Sequence, residues 1–124
     1  MPRNVVVDDD PLFRSSLVRY LRRLGHDIVE ADDGRGALSA LSRGDVDLIV
    51  TDINMPEVDG IEVLTAVRSH APDVPVIAMS GGGLLPKEIL LTSAGMLGAV
   101  ATLEKPFELE ALERAVESAL EGAA

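Results

Sequence analysis

Short apolar runs and amphipathic stretches alternate along this chain with little else between them, and that alternation leaves few folds open. Asn4 to Asp8, Val46 to Thr51 and Val74 to Met79 are continuous, largely β-branched runs without polar alternation, the pattern of strands buried on both faces. Asp27 to Ala31 is shorter and more polar, as an edge strand would be, and a fifth run spans Ala99 to Leu103. Between them lie helical stripes. Phe13, Leu17, Tyr20, Leu21 and Leu24 recur at spacings of three and four after Pro11, which suits a first helical turn, and Gly25 marks the stop. Asp33 can cap a second helix carrying Ala37, Leu38 and Leu41, ended by Gly44. Ile61, Leu64 and Val67 mark a third helix, ended before Pro72, and Pro86 to Met96 reads as a fourth. Leu109, Leu112, Val116 and Leu120 stripe the last one. Strict β/α alternation predicts a doubly wound α/β domain, one parallel five-stranded sheet between five helices, over residues 1–124.

Composition narrows the function. The formal net charge of −10 disfavours nucleic acid and anionic membranes as partners. The densest basic group, Arg19, Arg22 and Arg23, reads as a solvated helix face. The chain has no cysteine, so disulfide scaffolds and thiolate chemistry are excluded. No apolar run approaches the roughly 20 residues that span a bilayer, and no signal-peptide pattern precedes the first strand. A cytoplasmic protein is the expectation.

The chemistry gathers where the strands end. The carboxyl ends of parallel strands share one edge, and ligands bind there. Val7 leads into Asp8, Asp9 and Asp10; Thr51 into Asp52; Met79 into Ser80; and Leu103, two residues on, into Lys105. Acids, a hydroxyl and an amine would meet in one pocket, an inventory suited to a divalent cation and a phosphoryl group. Mg²⁺ or Mn²⁺ takes oxygen ligands, which Asp9, Asp52 and, through water, Asp8 can supply, with a backbone carbonyl after Asp52. A cation offsets the repulsion of clustered carboxylates and leaves one free as a nucleophile. Lys105 would face the phosphoryl oxygens and Ser80 would donate to one of them.

These motifs, VVVDDDP at 5–11, TDINMPEVDG at 51–60, AMSG at 78–81 and EKPF at 104–107, resemble in order and spacing the receiver domain of two-component response regulators. The resemblance implies a flavodoxin-like strand order 2-1-3-4-5. It makes Asp52 the phosphoacceptor, Asp9 the direct metal ligand beside Asp8, and the main-chain carbonyl of Asn54 a further ligand. Ser80 and Lys105 would hold the phosphoryl group, and the Lys105–Pro106 bond would be cis. It also implies donors and targets: a histidine kinase or phosphotransfer protein in a phosphorelay, a downstream protein, and a homodimer through the fourth helix, fifth strand and fifth helix. The family often carries an aromatic residue three positions before the lysine, where this chain has Thr102. The expected switch therefore shifts to Ser80, the Gly81-Gly82-Gly83 run and the apolar segment through Leu91. The chain stops directly after the last helix, so a stand-alone receiver is expected, although a piece of a longer regulator would read the same.

Plainer readings cover the remaining polar residues. Asp10 reads as a helix cap, Glu57 and Asp59 as loop residues, and His26 and His70 as surface groups. A metal-dependent phosphohydrolase with an aspartyl intermediate is the alternative function. It usually pairs its nucleophile with a nearby acid, and Asn54 stands two residues after Asp52 instead. A flavin or nucleotide carrier would need aromatic residues to stack a ring system, and aromatics are 2% of this chain.

Overall fold

In the computed structural model, which describes residues 3–44, 46–53, 60–80 and 98–123, each strand is followed by a return across the sheet. The elements are β1 (Arg3–Val7), α1 (Pro11–Arg23), β2 (Asp27–Ala31), α2 (Gly34–Ser42), β3 (Leu48–Asp52), α3 (Gly60–His70), β4 (Val76–Ser80), β5 (Ala101–Glu104) and α4 (Leu109–Ala123). All pairings are parallel, in the order β2-β1-β3-β4-β5. The expected helix over 86–96 and the Gly81–Gly83 run lie outside the described residues, as do Asn54, Glu57 and Asp59. Among the described residues no helix is long and apolar enough to cross a membrane.

The period of two along the strands sorts the core into two layers. Val5, Val7, Ile49 and Ala78 face Ala37 and Ala40 of α2 and Val63, Leu64 and Val67 of α3. Val6, Leu48, Val50, Ile77 and Met79 face Leu17, Val18 and Leu21 of α1 and Leu112, Val116 and Ala119 of α4. Burial on both sides explains why β1, β3 and β4 read as unbroken apolar runs. On the α2 side the layers meet closely: a Cβ built on Gly36 would lie 2.5 Å from the Ala31 Cβ.

Local signals act as the sequence suggests. Asp10 caps α1, its Oδ1 accepting from the N–H groups of Leu12 (3.0 Å) and Phe13 (3.2 Å), with Pro11 in the first turn. Arg22 and Arg23 close the last turn, where the helix dipole favours cations. Gly25 and Gly44 take positive φ beyond the ends of α1 and α2. β2 is an edge strand, as its polarity implied, and its acids are paired: Asp27 with Arg3 at 3.1 Å and Glu30 with Arg14 at 3.3 Å. The Tyr20 hydroxyl on α1 donates to Glu113 Oε1 on α4 at 2.6 Å, tying neighbouring helices together.

His26 departs from the surface reading. It sits half-buried, and its Nδ1 is buried without a hydrogen-bond partner among the described residues. Burial lowers its pKa, against the opposing charge of Glu117. His70 is exposed, as expected.

Candidate functional site

Three backbone hydrogen bonds carry the parallel ladder just past the strands and align their ends. The Asp8 N–H donates to the Ala31 carbonyl (3.1 Å), Ile53 to Met79 (3.0 Å) and Lys105 to Ser80 (2.8 Å). Register sets Val7 beside Thr51, Asp52 beside Met79 and Ser80 beside Glu104. The edge anticipated from the sequence thus brings together residues up to 97 positions apart.

Lys105 is the centre of the arrangement. Its ammonium donates to Asp8 Oδ2 at 2.8 Å and to Asp52 Oδ2 at 3.2 Å. Asp8 is wholly buried, Asp52 nearly so, and Asp9 is exposed. Burial pulls the Lys105 pKa down, but its hydrogen bonds to the two aspartates and their charges outweigh that and leave it above the ordinary lysine value. The lysine is therefore a fixed cation, unsuited to act as a general base near neutrality.

The three consecutive acids have three different fates. Asp8 points inward: Oδ1 accepts the Asp10 N–H at 2.9 Å while Oδ2 meets Lys105. Asp9 faces outward. Asp10 is spent on capping α1, so the plainer reading of that residue is the correct one. Carboxylate oxygens of Asp8, Asp9 and Asp52 lie within 4.8 Å of one another. An all-oxygen donor set of this kind, open on the Asp9 side, fits a hard divalent cation that keeps part of its water shell.

Ser80 ends β4, fully buried, and its Oγ has no hydrogen-bond partner among the described residues. A buried hydroxyl without a partner is costly and calls for an explanation; a ligand oxygen at the strand ends would supply one. Thr102 lies in β5 with its side chain exposed. The Lys105–Pro106 bond is cis, as the resemblance implied.

Two contributors were not singled out from the sequence. Arg14 donates to the Asp8 carbonyl at 2.6 Å while pairing with Glu30, and so steadies the turn that presents the acids. Phe13, read only as one residue of an apolar stripe, places its ring 4.3 Å from the Lys105 ammonium. Its place in the first helical turn, directly after the acidic run, was the available signal.

A model of the response regulator receiver domain matches residues 5–117. The chain belongs to the response regulator receiver domain family. As a receiver it takes part in two-component signal transduction, and its fold has the receiver strand order. It is 38% identical over 115 residues to the transcriptional regulatory protein FixJ of Bradyrhizobium diazoefficiens, covering 93% of this chain and 55% of FixJ. It is 40% identical over 119 residues to PrrA of Mycobacterium tuberculosis, covering 96% of this chain and 50% of PrrA. The chain thus spans about half the length of these curated relatives, and 26% of GlrR of Escherichia coli. Among solved structures, the receiver domain of NtrX from Brucella abortus matches with a TM-score of 0.87 at 32% identity, over 95% of this chain and 98% of that one. The beryllofluoride-activated NtrC4 receiver domain dimer matches with a TM-score of 0.89 at 31% identity, over 100% of both chains. None of these relatives is named as a phosphohydrolase.

Proposed function

We propose that this receiver accepts a phosphoryl group on Asp52 from a phosphohistidine of a histidine kinase or phosphotransfer protein, and that the modified domain changes its affinity for a downstream protein. The observation that carries the reading is the Lys105 ammonium shared between Asp8 and Asp52. It holds a carboxylate at a strand end beside a permanent positive charge, the arrangement that phosphoryl transfer needs. A carboxylate oxygen of Asp52 forms the new O–P bond as the P–N bond of the donor breaks, and the electron pair leaves with the imidazole. Lys105 then pairs with a phosphoryl oxygen, and the Ser80 hydroxyl, without a partner among the described residues, donates to another.

Asp8, Asp9 and Asp52 would hold Mg²⁺ or Mn²⁺, with the Asn54 carbonyl, outside the described residues, as a further ligand. Bound there, the cation neutralises charge on the phosphoryl oxygens. The same residues support self-catalysed loss of the group. Output runs through protein–protein contact; the NtrC4 dimer offers a homodimer as one form of it. A cytoplasmic setting accords with the cysteine-free chain and with relatives named as transcriptional regulators.

Intact mass after incubation with Mg²⁺ and acetyl phosphate tests the assignment. One added phosphoryl group is expected, absent with chelator and absent in Asp52→Asn. Equal labelling of the Asn variant would place the acceptor elsewhere.

A further inference from the structure

This chain has only two phenylalanines, and both stand beside one lysine. The Phe13 ring lies under the Lys105 ammonium, 4.3 Å from ring centroid to nitrogen. Phe107 meets that ring edge-on, with centroids 5.7 Å apart and planes at 85°, a preferred aromatic geometry. Phe13 is anchored through its backbone, because its N–H donates to the capping carboxylate of Asp10. Phe107 follows Lys105 by two residues. The ring pair therefore fastens the start of α1 to the segment leaving β5, with the ammonium between ring and carboxylates.

We infer that Phe13 is a positioning residue for Lys105: its ring face holds the ammonium at the strand ends so that it stays aimed at Asp52 once Asp8 is engaged by a cation. The inference rests on the phosphoacceptor reading above. In the structure Asp8 holds the lysine more closely than Asp52 does, 2.8 against 3.2 Å. A divalent cation held by Asp8, Asp9 and Asp52 would draw on the Asp8 carboxylate and weaken its hold on the lysine. A lysine has a flexible four-carbon stem and a strongly hydrated head; released from Asp8, it would be drawn toward water. The negative face of an aromatic ring attracts a cation, whereas an aliphatic side chain of similar bulk would pack along the stem and leave the head free.

The test uses the full chain with Phe13→Leu and Phe13→Met, which keep apolar bulk, and Phe13→Tyr, which keeps the ring. Phosphorylation by acetyl phosphate in Mg²⁺, followed by intact mass, should be roughly three- to tenfold slower in the Leu and Met variants, the factor such a contact is worth, and near the parent rate in Tyr. A small donor leaves docking of a protein partner out of the measurement. A second readout needs neither metal nor turnover. The Lys105 side-chain protons should resonate upfield in the parent and in Phe13→Tyr, from the ring current, and lose that shift in Phe13→Leu. Equal rates in parent, Leu and Met overturn the inference, and so does a slow Tyr variant, which would make Phe13 a packing residue. A parent without the upfield shift overturns it as well. A parent that takes no phosphoryl group on Asp52 overturns instead the phosphoacceptor reading, and with it the role of Phe13 in transfer.

Discussion

Replacing Lys105 by methionine removes the cation while keeping a side chain of similar length. Two carboxylate oxygens lose it together, Asp8 Oδ2 at 2.8 Å and Asp52 Oδ2 at 3.2 Å. At those separations the attraction is about 5–6 kcal/mol per contact for an effective dielectric constant of about 20. In the parent, the cost of desolvating the three groups cancels much of this, so the intact cluster adds little net stability. The variant keeps the desolvation and loses the attraction. Asp8 remains wholly buried, with Asp52 and Asp9 close enough to repel it. Removing one partner from a buried pair costs about 3–5 kcal/mol, a fall of roughly 10–20 °C in Tm for a domain of this size. Urea unfolding in chelator is the assay, with Lys105→Met compared to the parent and to Lys105→Met/Asp8→Asn. The double variant should recover part of the loss, because it removes one of the stranded charges. Lys105→Met as stable as the parent without metal would refute the reasoning, as would a double variant no more stable than the single one.

Mg²⁺ should raise Tm beyond a matched ionic strength of NaCl, by about 2.7 kcal/mol of stability at 100 times its Kd, and Asp9→Ala should lose the excess; identical effects of the two salts would rule out the cation site. Gly36→Ala should destabilise by about 1–3 kcal/mol, because the new Cβ would lie 2.5 Å from the Ala31 Cβ. Gly122→Ala in α4, whose added Cβ meets nothing within 4 Å, should instead be neutral or stabilise by up to about 1 kcal/mol; thermal melts of the two check the opposite signs. Tyr20, the chain's single tyrosine, should titrate at about 12, raised from 10.0 first by its hydrogen bond to Glu113, then by burial and by the charges of Glu113, Glu110 and Glu117. Its contribution to stability is then complete below pH 10.0 and lost as pH rises through about 12. Ultraviolet absorbance of the phenolate follows the titration directly, and Glu113→Gln should bring it down.

The two layers were readable because Val5, Val6 and Val7 present both faces of β1 without polar alternation, which only a sheet covered on both sides explains. The edge position of β2 followed from Asp27 and Glu30, and the caps from Asp10 and Asp33. Strand ends shifted by one or two residues. Val46 and Val74 looked like strand residues, yet β3 begins at Leu48 and β4 at Val76. β5 begins at Ala101 rather than Ala99, with Val100 57% exposed and its N–H already bonded to the Val76 carbonyl. Hydrophobicity marks the run, whereas ladder bonds to a distant neighbour fix the boundary. At the site, residue types and edge were legible but partnership was not. That Lys105 rests on Asp8 as well as Asp52 depends on contacts across 97 and 53 residues. The half-burial of His26 likewise depends on what packs around it, which no local pattern encodes.

The ion pairs along β2 bear on how this domain meets other chains. An edge strand offers unpaired backbone groups to any passing strand, the usual route to runaway aggregation. Here β2 carries Asp27 and Glu30, paired inward with Arg3 of β1 and Arg14 of α1, and the opposite edge, β5, is only four residues long. Extending the sheet from β2 would mean disturbing charged side chains; extending it from β5 gains few hydrogen bonds. Both edges are therefore poor templates for strand addition, one because it is charged and the other because it is short.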